Sequence, residues 1–88
     1  VAFADALLGE LADLVPARRD ALVVALSDHG EAFGQHGAQG HNTQVHVEML
    51  HVPLVVVGRG AFALAPRVVD APVSLLDLAP TFVERFGL

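Results

Sequence analysis

The sequence contains no cysteine. That excludes a disulfide framework within these residues, and thiolate metal ligands with it. Lysine is also absent, and of the five arginines only Arg18 and Arg19 are adjacent. With a net charge of -5, the chain offers no basic patch for a nucleic-acid backbone and no polybasic membrane anchor. No apolar run approaches the roughly 18 residues needed to cross a bilayer, so membrane contact is not indicated in this segment. A charged stretch leading into an apolar signal core is not visible either. What is abundant is apolar side chain: 53% of the 88 residues, with a mean hydropathy of +0.54. A domain this small hides only a modest share of its surface. The composition therefore predicts that the chain packs against more protein or is a piece of something larger.

The stretch from Leu22 to Glu31 organises the rest. Leu22–Leu26 is a short Val- and Leu-rich run of the length expected of a buried strand, and Ser27-Asp28-His29-Gly30-Glu31 follows at its carboxyl end. In open α/β sheets, ligands gather beyond the carboxyl ends of the strands. Asp28 offers a hard anionic oxygen and His29 a borderline nitrogen, a donor pair suited to Zn²⁺ or Mn²⁺ and compatible with Ca²⁺. Gly30 lets the backbone turn sharply without a Cβ penalty. A plainer reading stands beside this one. Asp28 can brace an Asx turn, and His29 can be a partly buried histidine bonded to a backbone carbonyl.

Elsewhere the pattern alternates helix and strand. Phe3, Ala6, Leu7, Leu11, Leu14 and Val15 recur at helical spacing over residues 2–15, and Pro16 marks the end. Arg18, Arg19 and Asp20 read as a solvated connector. The apolar run over 21–27 is expected to be covered on both faces, as in a parallel sheet. Residues 28–44 form a long loop punctuated by Gly30, Gly34, Gly37 and Gly40 and carrying His29, His36 and His41. Loops of that length are usually functional or disordered, and the histidines favour function. A short helix over 43–51 is predicted, capped by Asn42 or Thr43. A second buried strand follows over 52–57, and Val68-Val69 could add a brief edge segment. A last helix runs from about Leu75 to Phe86, opened by Val73 or Ser74, broken near Pro80 and stopped at Gly87.

Taken together, these motifs resemble the sulfatase family of the alkaline-phosphatase-like superfamily, specifically the C-terminal part of its catalytic domain. The residues carrying the resemblance are Ser27-Asp28-His29-Gly30-Glu31, Phe33-Gly34-Gln35-His36-Gly37, Gly40-His41, the run from Glu48 to Gly58, and Pro72-Val73-Ser74-Leu75-Leu76-Asp77-Leu78-Ala79-Pro80-Thr81. Their order and separations match over nearly the whole chain. The resemblance implies an alkaline-phosphatase-like α/β fold, with residues 1–88 as a partial catalytic domain: a fragment of a mainly parallel sheet flanked by helices. It implies that Asp28 and His29 are metal ligands. It also implies that His41, twelve positions after His29, matches the family's Lys or His that contacts the sulfate or phosphate group near the leaving oxygen. For His41 the alternative is a solvated loop residue. Glu31 reads as a cap on loop N–H groups or as an orienter of a ligand, with capping preferred. His36, His46 and His51 read as surface or packing residues, and Asp77 as a helix-start brace.

The implied parent is a metal-dependent sulfuric ester hydrolase, similar to arylsulfatases, with one divalent ion: Ca²⁺ for a sulfatase, Zn²⁺ or Mn²⁺ for a phosphotransferase. Its partners would be a sulfate or phosphate ester and the rest of the catalytic domain, with no nucleic acid. The resemblance leans towards a periplasmic, secreted or membrane-anchored extracytoplasmic protein. The family's nucleophile motif and its early Asp pair are missing from these residues, so the chain alone is expected to show no turnover and weak metal affinity. His46 and His51 stand where the family often has Tyr and Arg. Two alternatives remain open: a phosphoryl-transfer enzyme of the same superfamily (phosphodiesterase, or phosphoethanolamine or glycerophosphate transferase), and a non-catalytic sulfatase-like module.

Overall fold

The computed structural model describes residues 2–37, 39–41 and 45–88. The amino-terminal periodicity yields helix α1, Ala2–Asp13. It ends two residues before the expected Val15. A proline at position 16 disfavours helical backbone at the residue before it, and the last turn tightens accordingly. The Leu14 N–H is shared between the Glu10 and Leu11 carbonyls at 3.2 and 3.3 Å, and the Val15 N–H reaches only three residues back to Ala12.

Strand β1, Ala21–Leu26, follows the connector. Beyond it the chain makes a miniature hairpin of β2 (Ala32–Phe33) and β3 (Gln39–Gly40), paired antiparallel with Ala32 opposite Gly40. The backbone between them passes through the left-handed region at Gly34, His36 and Gly37. Helix α2, Val47–Leu50, is a single turn. The expected caps Asn42 and Thr43 lie outside the described residues. Strand β4, Leu54–Arg59, returns along β1 with Leu26 opposite Leu54 and Ala21 opposite Arg59.

This pairing corrects the expected parallel arrangement: β1 and β4 are antiparallel. The reason lies in the connection. A parallel neighbour needs a crossover that carries the chain back to the strand's starting end. Here the hairpin and α2 fold over the carboxyl end of β1, where the Gly30 N–H donates to the Met49 carbonyl at 2.8 Å. The chain therefore re-enters the sheet beside Leu26, where it left. The strands are half-covered rather than enclosed, and Val55 and Val56 of β4 are exposed. The suggested edge segment at Val68-Val69 does not form; that stretch is irregular.

The carboxyl-terminal helix forms much as its signals imply. Ser74 caps a 3₁₀ turn at Leu75–Asp77 in a capping box, its hydroxyl accepting from the Leu76 N–H at 3.2 Å while the Asp77 carboxylate accepts from the Ser74 N–H. Helix α3, Leu78–Phe86, takes over from there. Pro80 falls in its first turn, where the missing N–H has no intrahelical role, so the break appears as a 3₁₀-to-α change ahead of the proline. Gly87 closes the helix with φ 67°. α3 leans on the sheet through Phe62, whose ring meets Phe86 edge-on at 4.9 Å and carries the Arg85 guanidinium 4.8 Å above it.

Candidate metal and ester site

The polar knot expected at the carboxyl end of β1 is there, and the hairpin assembles it. In the β2–β3 register each pair of opposed residues sums to 72. Continuing one step beyond Ala32 and Gly40 sets Glu31 opposite His41. Their side chains meet, with His41 Nδ1 3.1 Å from Glu31 Oε2. The His41 ring stacks on that of His29 with centroids 4.4 Å apart. As a result, one ligand atom from each of His29, Glu31 and His41 lies within 4.8 Å of the others.

His29 is held in a defined orientation. Its Nδ1 lies 2.8 Å from the Gly30 carbonyl oxygen. That oxygen can only accept, so Nδ1 carries the proton and Nε2 keeps its lone pair. The bond to Gly30 raises the imidazole pKa above its ordinary 6.5; desolvation opposes it, and the Asp28 and Glu31 carboxylates add to the rise. Asp28 is the most exposed member. Its Oδ1 accepts from the His29 N–H at 3.0 Å and lies 3.7 Å from His29 Nε2. Both plainer readings are thus visible locally, a turn-bracing Asp28 and a carbonyl-bonded His29. Neither uses up the ligand capacity, since His29 Nε2 and Asp28 Oδ2 form no hydrogen bond among the described residues.

The donor set fits a divalent cation. His29 and the Glu31 carboxylate lie in one cluster, and Asp28 Oδ1, outside that cluster, is 3.7 Å from His29 Nε2, a mixture of the kind taken by Zn²⁺ or Mn²⁺ and open to Ca²⁺ through its oxygens. A histidine whose second nitrogen donates to a carbonyl is also the usual form of a metal-bound imidazole. Next to the cluster, a shallow open depression is lined by Glu31, Phe33, Gln39 and Gly40.

Sequence reasoning singled out Asp28, His29 and His41, and the structure places all three at this end of the sheet. For Glu31 that reasoning offered capping or orienting a ligand, with capping preferred, and the Glu31 carboxylate faces His41. The ten-residue spacing is informative only once the hairpin register is known. Two further histidines, His36 and His46, make a separate group with Glu48. His36 Nδ1 lies 2.8 Å from Glu48 Oε1, and the His36 ring stacks on His46 at 4.1 Å. This bond, above all other causes, holds the Glu48 carboxyl below its ordinary 4.5.

Three curated proteins show significant sequence similarity. The chain is 37% identical over 76 residues to the low-salt glycan biosynthesis sulfotransferase Agl7 of Haloferax volcanii, covering 80% of this chain and 18% of that protein. It is 31% identical over 91 residues to a choline-sulfatase of Rhizobium meliloti, covering 100% and 17%. It is 32% identical over 71 residues to the multifunctional alkaline phosphatase superfamily protein PehA of Trinickia caryophylli, covering 77% and 13%. The chain thus spans less than a fifth of the length of each relative. No solved structure gives a significant match. The Sulfatase family profile matches residues 1–88, and with the ordered motifs around Asp28, His29 and His41 in place, the chain belongs to the Sulfatase family.

Proposed function

We propose that these residues supply the second half of the catalytic centre of a metal-dependent sulfuric ester hydrolase, with the remainder of the centre on the rest of a larger catalytic domain. The observation that carries this reading is the convergence of His29, Glu31 and His41 within 4.8 Å, beside Asp28, in a chain of this family. Asp28 and His29 would hold the divalent cation through Oδ and Nε2. When bound, such an ion polarises the anionic ester and offsets its charge. His41 acts at the other end of the ester. With Nδ1–H turned to Glu31, the doubly protonated ring has Nε2–H left to face substrate. As the ester S–O bond to the leaving oxygen breaks and a nucleophilic oxygen bonds to sulfur, the Nε2 proton passes to the leaving oxygen and releases an alcohol. Ca²⁺ is the expected ion for sulfate esters. An extracytoplasmic location is part of the same reading.

Phosphoryl transfer is the second reading. Its support is specific: one relative is named a multifunctional alkaline phosphatase superfamily protein, and the Asp–His–His constellation serves phosphate as well as sulfate. The test uses the full-length protein, assayed with nitrophenyl sulfate and nitrophenyl phosphate after metal loading. The proposal expects sulfate turnover to exceed phosphate turnover. Asp28→Ala and His29→Ala are expected to lose bound metal by elemental analysis, and His41→Ala to keep the metal and lose turnover of a simple alkyl sulfate, whose poor leaving oxygen needs the proton. Full activity with all three variants would overturn the assignment, and faster phosphate turnover would favour the second reading.

A further inference from the structure

The Glu31 carboxylate takes no part in the bond changes just described, yet its Oε2 lies 3.1 Å from His41 Nδ1. The geometry points to Glu31 as the positioning residue for His41, which it holds through Nδ1 so that Nε2 is presented to the leaving oxygen of the ester.

Three observations carry this inference. The contact is 3.1 Å between Oε2 and Nδ1, where the carboxylate accepts from Nδ1–H and fixes which edge of the ring faces it, so that the doubly protonated ring has Nε2–H left to donate. The pairing follows from backbone register, not from two long side chains meeting by chance, because Glu31 and His41 extend the Ala32–Gly40 pair of the hairpin. Finally, the His41 ring is pinned on its face by the His29 ring at 4.4 Å with 26° between planes. A ring held at one edge by a carboxylate and on one face by another ring has little rotational freedom left. An imidazole confined in this way reaches a departing oxygen without first losing orientational entropy. Glu31 also lies within ligand reach of the same cluster, so the alternative to be excluded is direct metal coordination.

The inference rests on His41 serving the leaving oxygen, and the experiment separates the two ideas. The full-length, metal-loaded protein is assayed on two sulfate esters, one with a good leaving group (nitrophenyl) and one with a poor one (a simple alkyl). Glu31→Leu removes the acceptor, whereas Glu31→Gln keeps an oxygen that can accept from Nδ1. With the alkyl ester, kcat is expected to fall about 10- to 100-fold in Glu31→Leu and only a few-fold in Glu31→Gln. With the nitrophenyl ester the loss is expected to be small, and KM and metal content unchanged in both variants. In a His41→Ala background, Glu31→Leu is expected to add nothing further. Loss of metal from Glu31→Leu would overturn the inference in favour of coordination. An equal loss on both esters, or no loss, would overturn it as well. If His41→Ala itself discriminated no more against the alkyl ester than the unmutated protein does, the underlying reading of His41 would fail. If His41→Ala discriminated and Glu31→Leu did not, the positioning role alone would fail.

Discussion

A methyl group on Gly30 would occupy the space taken by the carbonyl oxygen of Glu48. The Gly30 N–H also donates to the Met49 carbonyl at 2.8 Å, so this residue brings α2 against the turn that carries Asp28 and His29. Gly30→Ala is therefore expected to push α2 away, break that bond and displace His29, whose Nδ1 partner is the Gly30 carbonyl itself. The cost is about 1–3 kcal/mol, as for other overpacked sites, measurable by urea unfolding of the full-length protein, and bound metal is expected to fall with it. Gly34 makes a useful contrast. Its φ is +101°, and among the described residues no atom beyond its chain neighbours lies within 4 Å of a Cβ built there. Gly34→Ala is expected to cost about 1 kcal/mol through backbone strain alone and to leave metal content unchanged. Should both substitutions affect metal equally, the docking of α2 on the Asp28–Gly30 turn would not be what positions the ligands.

At the level of elements, the signals read well where chemistry is local and poorly where partners are distant. Ser74, Asp77, Pro80 and Gly87 act on their own neighbours, and the last helix starts, changes geometry and stops at these residues. Ser74→Ala removes the hydroxyl that accepts from Leu76 and is expected to cost about 1 kcal/mol, read as a lower urea midpoint of the full-length protein. The orientation of β4 was not legible, because Val- and Leu-rich runs look the same in parallel and antiparallel ladders until the connection is known. The contact of Glu31 with His41 was hidden for a related reason: two residues ten apart become neighbours only through a hairpin whose strands are two residues long. The His36–Glu48 bond is likewise a product of tertiary placement, joining the hairpin turn to α2, with the Glu48 side chain only 12% exposed. Because the folded-state pKa of Glu48 is lowered from 4.5, its stabilising contribution is present above about pH 4.5 and is lost as pH falls through the lower folded value. Glu48→Gln is expected to lower stability at neutral pH and to converge with the unmutated protein in acid, followed by denaturant midpoints across that range. A constant gap between the two proteins at every pH would contradict this linkage.

The molecule as a whole exposes 7243 Å², whereas a folded monomer of its 9.2 kDa would expose about 4,900 Å². Its radius of gyration is 15.7 Å, against about 12 Å for a compact chain of this length. Among the described residues only Ala32 and Met49 are buried apolar side chains. The stripe of Phe3, Leu7 and Leu11 along α1 is largely open: α1 has no buried residue, Phe3 is 84% and Leu11 51% exposed, and a polar tie from this region to the sheet is Arg59, bonded to Asp13 at 3.2 Å. Such a surface cannot offset the entropy of ordering the chain. The 88 residues alone are thus expected to bind a hydrophobic dye and to unfold without a cooperative transition. In the full-length protein the same stripe is expected to be covered, because burying a leucine contributes about 1.5–3 kcal/mol, of which the half-exposed Leu7 and Leu11 gain only part here. Leu11→Ala then discriminates between the two situations. If α1 packs against the rest of the catalytic domain, the substitution costs about 2–5 kcal/mol and shifts the urea midpoint of the full-length protein accordingly. If the stripe faces water there too, the midpoint stays put, and the apolar excess of this chain would need some other partner to account for it.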